Sequence, residues 1–139
     1  MTLDELRDLM RCASPKIRAE PEIYAGCVQS ALLLTVLLNK LDASWKRGYG
    51  KVKTIKGDEI GHCWIEVDDV ILETNPSQVL GLDEGALAMK KGKWLKATEA
   101  KEEEHLYPEI FQPTEAGKRF YNAEAEQILK CYRGKRKIR

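Results

Sequence analysis

Two side chains in this 139-residue chain have the chemistry and spacing of a covalent acyl-transfer site, Cys27 and His62. A thiol attacks a carbonyl as its thiolate, and both a helix N-terminus and a nearby imidazolium lower a thiol pKa enough to supply one. Cys27 stands directly before the run Val28 to Leu38, in which eight of eleven positions are apolar. Such a run predicts a central helix buried on most of its circumference, with Cys27 at its start. His62 lies 35 positions further on in a strand-like segment, and it can serve as base only if that strand abuts the helix start. Each residue alone has an ordinary reading. Free cysteine is among the most buried residue types, and a single histidine on a half-buried strand is usually structural. Their joint spacing is what singles out the pair.

A strand pair must position the histidine. Gly61 to Val67 and Val70 to Asn75 flank Asp68-Asp69, a two-residue connection suited to a hairpin. With Val67 opposite Val70, paired residue numbers sum to 137, which sets His62 opposite Asn75 and Trp64 opposite Glu73. His62, Trp64 and Glu66 then share a face with Ile71, Glu73 and Asn75, and Thr74 is excluded. Glu73 and Asn75 are therefore the two candidates to accept a hydrogen bond from the imidazole and hold its tautomer, as the third member of a triad does.

The stretches Ala25-Gly26-Cys27-Val28-Gln29-Ser30-Ala31-Leu32-Leu33, Gly61-His62-Cys63-Trp64-Ile65-Glu66-Val67 and Val70-Ile71-Leu72-Glu73-Thr74-Asn75-Pro76 resemble the core of the transglutaminase-like, papain-related cysteine enzymes. The resemblance covers roughly residues 24 to 78, and its most specific piece is His62-x-Trp64-x-Glu66-Val67 before a turn. It implies an α+β fold with a papain/transglutaminase-like core, in which a buried helix carrying Cys27 packs on a small antiparallel sheet. It also implies cysteine-dependent chemistry on an amide or ester of a peptide or protein substrate, either peptide or isopeptide hydrolysis or acyl transfer, with no metal or organic cofactor. Glu73 stands nearest the family's Asp but is one methylene longer, whereas Asn75 resembles the Asn of papain-like proteases. No glutamine precedes Cys27 at the distance of a papain-like oxyanion donor, so the Cys27 N–H with Tyr24 or Gln29 would form the hole, and Trp64 a wall of the site. These departures keep a second function in view, a non-catalytic binding module on the same scaffold.

The other elements are read more coarsely. Thr2 and Glu5 form a capping box for a first helix to about Cys12, and Ser14-Pro15 reads as the start of a second one ending before Pro21. Trp45 to Ile55 is strand-like despite Gly48 and Gly50, and Lys56-Gly57-Asp58 is a turn. Between Leu80 and Pro108 the pattern suggests a short helix near Glu84 to Met89, a basic loop Lys90 to Lys93 and a strand at Trp94-Leu95. A helix follows from Thr114, and Lys130 to Arg139, with six basic side chains, reads as a solvated, frayed tail.

Composition bounds the rest. One domain spans 1–139, with a catalytic-type core at about 24–78. The 23 basic and 22 acidic residues imply no bulk electrostatic partner, and the basic tail alone argues only weakly for nucleic acid. No run approaches the roughly 20 apolar residues of a membrane span. The N-terminus lacks a secretory pattern, which places the expected site of action in the cytoplasm with reduced thiols. Four cysteines without a C-x-x-C pair disfavour a disulfide framework and a zinc site, so Cys12, Cys63 and Cys131 read as packing residues and the metal expectation is none. Trp45 and Trp94 read as core or rim, and His105 as surface. Oligomeric state is left open.

Overall fold

Thr2 opens the first helix through the expected box, its hydroxyl accepting from Glu5 N at 3.1 Å while Glu5 Oε1 accepts from Thr2 N at 2.8 Å. A computed structural model describes residues 1–24, 27–103 and 114–138, without the side chains of Cys27 and Ile138. Ala25, Gly26 and His105 lie outside the described residues. Helix α1 runs unbroken over Leu3–Ala19, through Pro15. The expected break at Ser14 is absent because Leu6, Leu9, Met10, Ala13 and Ile17 continue one buried face across the proline, and that burial outweighs one lost helix bond. Ser14 caps nothing. Its hydroxyl donates to Glu84 Oε2 at 2.9 Å and accepts from Gly85 N at 2.7 Å.

Helix α2 (Pro21–Tyr24) leads to α3 (Cys27–Lys40), the predicted buried helix, which opens at Cys27. Three strands follow, β1 (Lys46–Lys53), β2 (Glu59–Val67) and β3 (Val70–Glu73). Their pairings Ile65 with Leu72, Glu66 with Ile71 and Val67 with Val70 are those of the hairpin register read from sequence. Asp68 takes the left-handed conformation, φ 54°, that the two-residue turn requires. The strand stops at Glu73, so Asn75 is not a ladder partner of His62. It stands instead at the cap of α4 (Pro76–Leu80).

The next region reverses the sequence expectation. Leu87–Lys90 is a strand, β4, and Lys91–Thr98 is a helix, α5, so Trp94 is helical and the basic loop is absent. Four alternating residues paired to a buried strand override a weak local pattern. After β5 (Lys101–Glu102), α6 spans Glu115–Ile138. The basic tail is thus helical rather than frayed. Arg136 bridges to the fully buried Asp8 at 2.8 Å, and this contact holds the last turns of α6 on α1.

The chain is α+β. The five-stranded antiparallel sheet has the order β4-β3-β2-β1-β5. Its two faces differ. Cys63, Ile65, Val67, Val70 and Leu72 face a large core shared with α1, α3 and α6. Val52, Trp64 and Ile71 face a smaller one with Val79 of α4 and Trp94 of α5. No helix among the described residues is long and apolar enough to cross a membrane.

Cys12 and Cys131 form a disulfide between α1 and α6, with Cα atoms 5.8 Å apart and a sequence separation of 119. This corrects the reading of both as reduced packing residues, because antiparallel packing of the two terminal helices sets them side by side. Replacing Cys131 with Ser should lower stability by about 2–5 kcal/mol in urea melts. In unreduced, denatured protein Cys63 should alkylate, whereas Cys12 and Cys131 should not. Labelling of Cys12 before reduction would contradict the bridge.

Candidate active site

His62 lies near the start of β2, on the face that carries Trp64, and is 1% exposed. A buried imidazole needs a partner, and the neighbouring strand supplies one diagonally. Glu73, the last residue of β3, sets its Oε2 2.8 Å from His62 Nε2. The same oxygen accepts from Asn75 N at 2.6 Å, and Oε1 accepts from Trp94 Nε1 at 3.0 Å. The glutamate is fully buried. Burial pushes its carboxyl up, but the His62 bond and charge, the Asn75 amide and the Trp94 indole together hold it below the ordinary carboxylate range. Glu73 is therefore a carboxylate, which can only accept, so His62 Nε2 carries a proton and donates it. An acid–base role for the ring would run through Nδ1.

Of the two candidates for this contact, Glu73 makes it and Asn75 does not. The Asn75 side chain donates from Nδ2 to Gln78 Oε1 at 2.8 Å and accepts from Ser77 Oγ at 3.3 Å. Glu73, two residues before the position opposite His62, reaches the imidazole diagonally across the strand pair. Trp94 was missed by the sequence reading as a member of this network. The signal available was a lone bulky apolar residue in a basic segment, which says nothing of its partner.

One glycine makes room for Trp64 and a second makes room for β5. Gly50 is paired with His62 and Gly48 with Trp64. A Cβ at Gly48 would lie 2.0 Å from Trp64 Nε1, so the indole rests directly on the β1 backbone. A Cβ at Gly50 would lie 2.0 Å from the carbonyl oxygen of Lys101, so β5 could not pair there. Trp64 in turn packs on Trp94, with centroids 4.9 Å apart, and is 4% exposed. It supports the network from within and is not an exposed wall for substrate.

Tyr24 lies at this end of the sheet. Tyr24, three residues before Cys27, is buried and shares a cleft of about 300 Å³ with Thr74 and Asn75, where the chain leaves β3. Thr74 is tied to β2 by a 3.0 Å bond to the Cys63 carbonyl. The Tyr24 hydroxyl donates to Glu124 Oε1 at 3.4 Å, and Lys16 pairs with Glu124 Oε2 at 2.8 Å. Burial, then the Glu124 and Glu20 charges, push the Tyr24 hydroxyl well above the ordinary phenol value. The hydroxyl therefore keeps its proton and meets Glu124 of α6, a partner that the reading of Tyr24 as an oxyanion donor did not include. Gln29 is exposed on the first turn of α3. Among the described residues no group of three or more His, Cys, Asp or Glu converges to hold a metal ion.

Compared with known protein families, curated proteins and solved structures, the chain matches none.

Glu73→Ala should cost about 3–5 kcal/mol, since it strands a buried partner set. Because the folded Glu73 titrates below its ordinary value of 4.5, its stabilisation is complete above that pH and is lost as pH falls through the folded value. Urea melts taken from roughly pH 5 down to 2 should therefore show a loss of stability whose slope is flatter in Glu73→Gln.

Proposed function

We propose that the chain is a cysteine-dependent acyl-transfer enzyme with a papain/transglutaminase-like core, acting on an amide or ester of a peptide substrate through Cys27, His62 and Glu73. The observation that carries this reading is the buried imidazole–carboxylate pair, with Nε2 held at 2.8 Å by a carboxylate that two further donors keep ionised. A structural histidine needs one partner of any kind. A catalytic one needs a fixed tautomer and a stabilised imidazolium, which is what an ionised acceptor on Nε2 provides. Cys27, at the first position of a 14-residue helix, has the amide and dipole environment that favours a thiolate.

In this mechanism the Cys27 thiolate attacks the substrate carbonyl carbon and the carbonyl oxygen takes up negative charge. Collapse expels the amine, which takes the proton from His62 Nδ1 and leaves a thioester on Cys27. Water or a second amine then gives a proton to His62, attacks the thioester and releases acid or a new amide. The thiolate–imidazolium pair is regenerated. Glu73 remains ionised throughout and orients the ring.

A second reading, a non-catalytic binding module on the same scaffold, draws on the burial of His62, Trp64 and Glu73 at 1%, 4% and 0% exposure, as in a network that only stitches strands together. Thiol kinetics separate the two. With iodoacetamide, Cys27 should react at close to its full rate at pH 6. His62→Ala should move the profile toward an ordinary thiol pKa near 8.5 and slow the pH 6 rate by about a hundredfold. A wild-type profile already centred near ~8.5 would remove the enzyme reading and leave the binding module.

A further inference from the structure

The outer edge of β4 pairs with no other strand among the described residues, and the geometry points to it as a docking site for an extended acidic segment of another protein, added as a sixth strand to the sheet beside an Ala88 that is 7% exposed. β4 is the terminal strand and pairs only with β3. The phase of that pairing is fixed by Lys91 N, which donates to Asp69 O at 2.9 Å. In an antiparallel ladder the residues that bond the partner alternate, so Met89 and Leu87 turn their amides to β3 while Ala88 and Lys90 turn theirs outward. The Lys90 carbonyl belongs to the first turn of α5, which leaves the Ala88 N–H and C=O and the Lys90 N–H as the outward groups. No backbone group among the described residues meets them.

A groove of about 450 Å³ runs beside these groups, lined by Arg7, Met10 and Arg11 of α1 and by Leu87, Ala88 and Met89. Successive strand residues face opposite sides of a sheet, so a groove touching three in a row lies along the strand's edge rather than over either face. Its floor is apolar, and Leu82 beside it is 44% exposed.

Charge chooses the occupant. Arg7 has no carboxylate within 4.0 Å among the described residues, and Asp8 is shared by Arg11 at 3.2 Å and Arg136 at 2.8 Å, which leaves this end of the groove positive. The exposed Lys90 adds a further positive charge. Asp83 and Glu84 also line the groove, Asp83 paired with Arg18 at 2.9 Å and Glu84 accepting from the neutral Ser14 hydroxyl at 2.9 Å, so the cations Arg7, Arg11, Arg18, Lys90 and Arg136 stand against the carboxylates Asp8, Asp83 and Glu84. A second copy paired edge to edge would bring the Lys90 and Arg7 groups of both copies together, which disfavours it. An extended segment with alternating acidic and apolar side chains meets both the floor and the rim. This site is independent of the acyl chemistry proposed above.

The test uses the full chain and a capped hexapeptide of alternating glutamate and valine, followed by amide chemical shifts and hydrogen exchange. Saturable shifts at Ala88 and Lys90, with slowed exchange at both, are expected, and the lysine–valine counterpart should produce neither. Arg7→Glu should weaken binding about threefold to tenfold. Lys90 has φ −55°, which proline adopts without strain, so Lys90→Pro removes one outward N–H while keeping the fold. Binding should be lost in Lys90→Pro and largely kept in Lys90→Gln. Equal binding of the two peptides, equal behaviour of the two Lys90 variants, or exchange already slow because the chain pairs with itself would each overturn the proposal.

Discussion

A carboxylate with no solvent exposure has to be fully satisfied by fixed donors, and the half of the fold around Glu73 is arranged to do that. The cost of removing such a charge from water is several kcal/mol, so a single partner is insufficient. The donors come from three places: the imidazole of β2, the backbone at the cap of α4 and the indole of α5. Satisfying one side chain therefore fixes the order in which the chain turns after β3. The strand must end at Glu73, Asn75 must present its N–H back toward it, and α5 must return Trp94 to the sheet. The apolar contacts follow the same geometry, since Trp94 packs on Trp64, and Trp64 lies on the backbone of Gly48.

The two faces of the sheet divide the work. The larger core, with α1, α3 and α6, supplies most of the buried apolar surface and fixes the helix that begins at Cys27. The smaller one encloses the polar network and keeps water from it. His62 and Cys63, adjacent in sequence, belong to these different environments because strand side chains alternate. Tyr24 of α2 is bonded to Glu124 of α6, while the Cys12–Cys131 bridge joins α1 to α6 further along. Helix α3 packs against both α6 and β2. Strand β4 pairs Leu87 with Glu73, while its far side borders the groove along α1.

The sequence by itself determined what depends on short-range periodicity. The apolar run after Cys27 predicted a buried helix and Thr2 with Glu5 a cap, and both are present. The hairpin register followed from Val67, Val70 and a two-residue turn, since a one-residue slip would have turned every side chain to the wrong face. That parity already restricted the partner of His62 to Glu73 or Asn75. Tertiary structure decided between them, because the choice depends on where β3 stops and on which donors surround a buried carboxylate. It also made β4 and α5 from a segment whose polar pattern favours neither, brought Trp94 to Glu73 across 21 positions, kept α1 intact through Pro15, and joined Cys12 to Cys131 across 119. Each of these depends on residues far apart in the chain, and local propensity carries no information about which distant groups will meet.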